Sequence, residues 1–253
     1  MKKVFLWTAA AGTLALAASA GYVLWLPDVR PLKKRPPATT AYIELRKTQA
    51  AAKGKKLALQ WTWVAWDGIS DNLKHAVFIA EDDTFYRHKG VDWDAVRMAL
   101  DRDIAEKRLA FGGSTITQQV ARNLYLSPSK NPLRKLKELL IARQLEQELG
   151  KRRIFELYLN IAEWGQGIFG AEAAAQAYFG KHAAELSVDE AVAMAVVLPS
   201  PAKHNPAKGG RYVDRNSRRV MNRMRASGFL PDEQQDEFAV MTSSGFDVIV
   251  STP

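Results

Sequence analysis

The stretch "EDDTFYRHKG", Glu81 to Gly90, sets three acids ahead of an aromatic pair and a basic, imidazole-bearing cluster closed by glycine. A carboxylate there suits general-base work if its surroundings disfavour ionisation. Ile69, Leu73, Ala76, Val77 and Ala80 precede it at helical spacing, with Ser70 or Asp71 as the cap. Glu81 therefore falls at the C-terminal end of an amphipathic helix. The negative end of the helix dipole makes its carboxylate a better proton acceptor than a free one. The competing reading is an acidic helix end facing water.

A second candidate is "FGGSTITQQVARN", residues 111–123. Its paired glycines allow close backbone approach, and Ser114 and Thr115 stand at a helix start whose free N–H groups attract anions. Gln118, Gln119, Arg122 and Asn123 continue along that helix. A capped helix after a glycine turn is the plainer alternative. In "RKLKE", Arg134, Lys135 and Glu138 share one helical face, which by itself is an ordinary solvated ion-pair face. "RRIFELYLNIAEWGQGIFG" buries Ile154, Leu157, Tyr158 and Ile161 as a stripe, with Tyr158 and Asn160 placed to support a site. Lys203 sits in the proline-framed loop "PSPAKHNP", either a rigidly held cation or a surface lysine.

The elements that must position these residues read as helices. Asp94 opens "DAVRMALDRDIAEKRL", and Thr115 with Gln118 makes a capping-box pattern before "ITQQVARNLYL". Asn131 and Pro132 start "LRKLKELLIARQLEQEL", which Gly150 ends. Ser187 and Glu190 cap "VDEAVAMAVVL", stopped by Pro199. Strand signals are confined to "LALQWTWV" at 57–64 and a weak "FDVIV" at 246–250. The alternating Trp61 and Trp63, with Trp66 behind them, either fill a strand face or seat the domain at a headgroup boundary. The fold class is mainly α.

At 253 residues, 47% hydrophobic and 25% charged, the chain suits one sizeable globular core. The absence of cysteine excludes disulfides, thiolate nucleophiles and cysteine-bound metals, and four scattered histidines make a zinc site improbable. The net charge of +9 is concentrated. Arg122–Arg153 holds nine basic against three acidic residues, and Lys203–Arg225 holds eight basic residues against Asp214. Such a field suits a polyanionic partner.

Residues 1–3 form a short basic N-terminus, and Val4–Leu26 is an uncharged run of 23 residues, long enough for one membrane crossing. "AASAG" at 17–21 resembles a signal-peptidase site, but the apolar run continues through Tyr22 and Trp25, which favours a retained anchor. Arg30, Lys33, Lys34 and Arg35 follow the span, so charge does not mark the N-terminus as the cytoplasmic end. Residues 27–40 read as a basic, proline-rich linker and 41–228 as the folded domain, with 229–253 a C-terminal extension of open role. Nucleic acid fits poorly with an exported, tethered domain; a pyrophosphate or lipid headgroup fits better.

Taken in order, the motifs are more specific. They read Glu81-Asp82-x-x-Phe85-x-x-His88-x-Gly90, Gly112-Gly113-Ser114-Thr115-Ile116-Thr117-Gln118-Gln119-x-x-Arg122-Asn123, Arg134-Lys135-x-x-Glu138, Arg153-Ile154-x-Glu156-x-Tyr158-Leu159-Asn160, and Arg218-Arg219-x-x-x-x-Met224. This series resembles the signature motifs of the peptidoglycan glycosyltransferases, glycosyltransferase family 51, over roughly residues 60 to 225. The short stretch after Arg225 points to the single-domain subgroup, without a transpeptidase domain.

The resemblance implies a lysozyme-like, two-lobed helical fold and polymerisation of lipid II into β-1,4 glycan, inverting at the anomeric carbon and releasing undecaprenyl diphosphate. It implies a catalytic base at Glu81 and a second essential carboxylate at Glu138. Ser114, Thr115, Gln118, Gln119, Arg122, Asn123, Arg134, Lys135 and Lys203 would bind substrate, with Asp82, Phe85, His88, Gly113, Tyr158 and Asn160 in support. Arg122 departs from the lysine of many members, and Val220-Met221 from the commoner Val-Leu. Partners would be lipid II, the nascent strand, the membrane on the outer, periplasmic face of the inner membrane, and proteins of cell-wall synthesis or division. No cofactor is required; a divalent cation, Mg or Mn, could assist the diphosphate. A diphosphate leaving group needs cations more than a proton donor, which fits carboxylates set among so much Arg and Lys. A lytic transglycosylase or lysozyme-type muramidase of the same fold is the competing enzyme, and a membrane-anchored lipid-binding scaffold the non-enzymatic reading.

Overall fold

The computed structural model describes residues 2–105, 113–129 and 131–231. It is mainly helical. α1 (Lys2–Leu24) leads through a 3-10 turn at Arg30–Lys33 into α2 (Ala41–Ala51) and the short strand β1 (Gln60–Trp61). Next come α3 (Asp71–Glu81), α4 (Trp93–Ala105), α5 (Ile116–Tyr125), α6 (Pro132–Glu148) and α7 (Lys151–Ile161). The strands β2 (Glu163–Gly165) and β3 (Ile168–Phe169) precede α8 (Ala171–Phe179), α9 (Val188–Val197) and α10 (Arg211–Ala226). β3 lies between the other two strands, parallel to β1 and antiparallel to β2.

Local chemistry sets most helix boundaries. Ser70 caps α3 by accepting from the Leu73 N–H, and Asn131 caps α6 by accepting from Leu133. Ser187 and Glu190 form both arms of a capping box on α9. Three expectations shift. α4 is capped by Asp92, whose Oδ1 accepts from the Ala95 N–H at 2.8 Å, rather than opened by Asp94. Thr115 caps α5, but the Gln118 side chain turns away from the box toward the Gly90 carbonyl. Gly150 has φ −73°, so it does not end α6 as a left-handed residue; it is the N-cap of α7.

Burial then decides which faces meet. Leu73, Ala76, Val77 and Ile79 of α3 are buried where that helix packs on α9 and α10, while α5 packs on α6 and α7. Each fully buried leucine or valine contributes roughly 1.5–3 kcal/mol relative to exposure. The core continues through Phe85, Phe155 and Tyr158, so Phe85 supports the site by filling volume, its ring 5.5 Å from Phe155.

The strand expected at 57–64 contracts to two residues. Its partner β3 is equally short, and the Asn160 side chain takes the next backbone groups, accepting from the Val64 N–H and donating to the Val64 carbonyl. The tryptophans are half-buried on the core. Trp61 Nε1 donates to the Asn160 carbonyl, Arg153 covers Trp63, and Lys74 and Arg152 lie over Trp66. Their rings are engaged inside the domain.

Residues 27–40 are not a free linker. Val29 and Leu32 are buried, Lys33 pairs with Glu148 at 2.8 Å, and Arg153 donates to the carbonyls of Leu32 and Arg35. Pro31 occupies the first turn of the 3-10 segment, where a missing N–H costs nothing. The expected span at 4–26 coincides with α1, which is rich in Ala, Gly, Ser and Thr; among the described residues no helix is long and apolar enough to cross a membrane. Phe229, assigned to the extension, stacks on His75 at 4.0 Å and so belongs to the domain. Phe111 and Gly112, the end of the helix expected to run to 109, and "FDVIV" lie outside the described residues.

Candidate active site

Glu81 is the last residue of α3, and α5 and α7 close around it. Gln119 Nε2 donates to Glu81 Oε2 at 2.7 Å, and the Tyr158 hydroxyl donates to Gln119 Oε1 at 3.3 Å. Burial pushes the Glu81 carboxyl above the usual carboxylate range, against the pull of Gln119, Tyr158 and Arg122 toward the charged form. The dominant cause is thus desolvation. Part of the side chain stays exposed on a cavity of about 110 Å³ that also borders Asp83, Gly113, Ser114 and Arg223.

Asp82, next in sequence, has a different task. Its Oδ2 accepts from the Ile116 N–H at 2.9 Å, at the first turn of α5. His88 Nδ1 accepts from the Gly90 N–H, so its Nε2 carries the proton and donates to Asp82 at 3.0 Å. The Thr115 hydroxyl donates to the Gly90 carbonyl at 2.7 Å. These bonds tie the 82–90 loop to the start of α5, which fixes Gln119 one turn further on. Gly113 precedes this start with φ +101°, a conformation that favours glycine.

The second cluster lies on α6. Glu138 is fully buried; Arg134 Nη1 donates to its Oε2, and Lys135 Nζ donates to its Oε1 at 2.6 Å. Arg134 Nε also donates to the Ser129 carbonyl at 2.6 Å. Lys135 reaches further, to Gln118 Oε1 at 2.9 Å and Ser114 Oγ at 3.3 Å. Both oxygens of Glu138 are therefore committed to holding two cations. These two cations line a cavity of about 500 Å³ together with the polar Ser114 and Arg122 and with Tyr42, Leu136 and Leu139. The Nε of Arg122 is buried with no hydrogen-bond partner among the described residues. Ser114 borders both cavities, so the proton acceptor and the cationic seat share a wall.

Glu81, Asp82, His88, Gly113, Ser114, Thr115, Gln118, Gln119, Arg122, Arg134, Lys135, Glu138 and Tyr158 thus gather in one region, although they come from four separate segments. Others do not join it. Asn160 anchors the 61–64 backbone, and Asn123 is buried on α5. Lys203 is exposed in the loop before α10 and borders neither cavity. Arg223, Asp83 and Tyr42 line the cavities without having been singled out. Arg223 was visible only as part of a basic block, because nothing local says that α10 packs beside α3. Among the described residues, no three His, Asp or Glu side chains are grouped to hold a metal ion.

The family model described as Transglycosylase matches residues 48–225. A biosynthetic peptidoglycan transglycosylase of Aromatoleum aromaticum is 46% identical over 188 residues, 74% of this chain and 81% of its own. The protein of the same name from Azoarcus sp. is 42% identical over 228 residues, covering 88% of this chain and 97% of its own. That from Janthinobacterium sp. is 42% identical over 191 residues, 76% and 83% of the two chains.

Proposed function

This chain belongs to the transglycosylase family, and from that premise we infer that it is a peptidoglycan glycosyltransferase of cell wall synthesis, polymerising lipid II. The observation that carries the mechanism is a carboxyl of raised proton affinity, Glu81, sharing the Ser114 wall with a cavity lined both by cations and by apolar side chains. A diphosphate joined to a polyprenyl chain has that same duality.

In this reading the acceptor sugar 4-hydroxyl approaches Glu81, with Gln119 and Tyr158 orienting the carboxylate. As the oxygen attacks the donor anomeric carbon, its proton passes to Glu81 and the bond from that carbon to the diphosphate oxygen breaks. The configuration inverts. The departing diphosphate is stabilised by Arg122, Arg134 and Lys135, acting where charge develops. Glu138 is a positioning residue here, since it is fully buried and lines neither cavity. Incubation of the purified protein with lipid II should give long glycan and polyprenyl diphosphate. Cleavage of preformed glycan without synthesis would instead favour the muramidase reading.

The cation at 122 supplies charge to this seat. Arg122→Ala should slow polymerisation at least tenfold, while Arg122→Lys should stay within a few-fold of the parent. Equal losses in initial-rate assays would show that guanidinium geometry, not charge, is what the diphosphate needs.

We also propose α1 as a membrane anchor holding the domain on the periplasmic side of the inner membrane. The support is the uncharged run Val4–Leu26 and its aromatic end, where the Lys137 ammonium lies 4.4 Å from the Tyr22 ring and 5.5 Å from Trp25. Removing residues 1–24 should shift the protein from the membrane to the soluble fraction. Unchanged membrane association of the shortened chain would refute the anchor.

A further inference from the structure

α10 buries Val213, Val220 and Met224 against its neighbours α9 and α3. Its outer face carries Arg211, Arg215, Arg218 and Arg219, all exposed, and among the described residues no acidic side chain pairs with any of them. Three of these continue a four-residue ladder, 211, 215 and 219, whose next rung is Arg223. At 1.5 Å per residue the ladder is roughly 18 Å long. Like charges four apart oppose helix formation, so this arrangement works against the helix that bears it.

The ladder is joined to the chemistry at one end. Arg223 lines the same cavity as Glu81, and there it pairs with Asp83 at 2.8 Å. A carboxylate is thus already the partner of the rung nearest the proton acceptor. The guanidinium fork matches carboxylate geometry better than a point charge does.

We propose that this face of α10 is a docking surface for the product strand, a glycan bearing peptide carboxylates, which leaves the Glu81 cavity beside Arg223 and runs outward toward Arg211. The proposal rests on the polymerase reading given above. Two observations favour a carboxylate-bearing strand over an anionic membrane surface. A basic helix lying on a membrane presents large apolar side chains beside its cations, and α10 exposes none. α10 also packs on α9 and α3, whereas α1 packs on α6.

The test uses the full chain carrying Glu81→Gln, so that strands are bound and not extended. The probes are uncrosslinked glycan strands with intact peptides, neutral chitooligosaccharides and phosphatidylglycerol vesicles. R211Q/R215Q/R219Q should weaken strand binding about tenfold at low salt, a loss that shrinks in high salt, since each exposed ion pair contributes little alone. R211K/R215K/R219K should recover most of it, and chitooligosaccharide and vesicle binding should not change. With Glu81 intact, the Gln triple variant should make shorter strands while its first coupling of lipid II proceeds at the parent rate. Unchanged strand binding, or a loss confined to vesicles, would overturn the docking surface. Strand binding through these arginines by a parent protein that makes no glycan would instead overturn the polymerase reading and leave the surface standing.

Discussion

Glu81→Gln is expected to abolish glycan synthesis, lowering the rate about 10²–10⁴-fold, the usual cost of losing a general base. The substitution keeps size and can still accept from Gln119, so the fold should persist. Its stability should rise. Burial lifts the folded-state pKa of Glu81 above its unfolded value, so the folded protein prefers the protonated form. That preference contributes stability fully present below the unfolded value of about 4.3 and lost as pH rises through the folded one. At pH 7 the parent therefore carries an ionisation penalty that glutamine lacks. Thermal unfolding should show the variant melting higher at pH 7 and the two proteins converging near pH 4. For the same reason the acidic limb of the parent's kcat/KM profile should lie above the ordinary glutamate range. Near-parental synthesis by Glu81→Gln would remove the carboxylate from the mechanism.

Glu138→Ala should cost on the order of 3 kcal/mol of folding stability, at the low end for removing one partner of a buried ionic cluster. Arg134 is largely buried and would keep only the Ser129 carbonyl, whereas Lys135 is partly exposed and can turn to water. Synthesis should fall with it, because both cations lose the group that aims them at the larger cavity. Glu138→Gln should lose less stability than alanine, since one side-chain oxygen still accepts. Chemical denaturation of the two variants, set beside their initial rates, separates the roles. An alanine variant as stable as the parent but inactive would make Glu138 a reacting carboxylate and not a positioning one.

Much of this was legible because it is local. The 3.6-residue spacing of Leu73, Ala76 and Val77 placed Glu81 at a helix end, and Ser70, Asn131 and Ser187 announced their helices through side chains that cap N–H groups two or three residues away. Local spacing misleads at a cap where a nearer or better-placed acceptor competes: Asp92 reaches the Ala95 N–H before Asp94 can matter, and the Gln118 amide finds the Gly90 carbonyl across a loop. The stretch 27–40 looked like a tether because proline and charge dominate its composition. Two apolar residues, Val29 and Leu32, were enough to seat it.

The sequence alone determined which groups are present and on what elements: a carboxylate ending one helix, amides and hydroxyls starting another, an Arg-Lys-Glu face on a third. It also determined the family, since those types recur in order and at fixed spacing within short segments. Only the tertiary structure decided what the groups do to one another. It buried Glu138 between two cations, left Glu81 on a cavity wall with a raised affinity for its proton, and brought Arg223 to the same cavity through its contact with Asp83, 140 residues away in the chain. Desolvation and the pairing of distant charges depend on which faces pack together, and that is settled by the summed burial of α3, α5, α6, α7 and α10, not by any one segment.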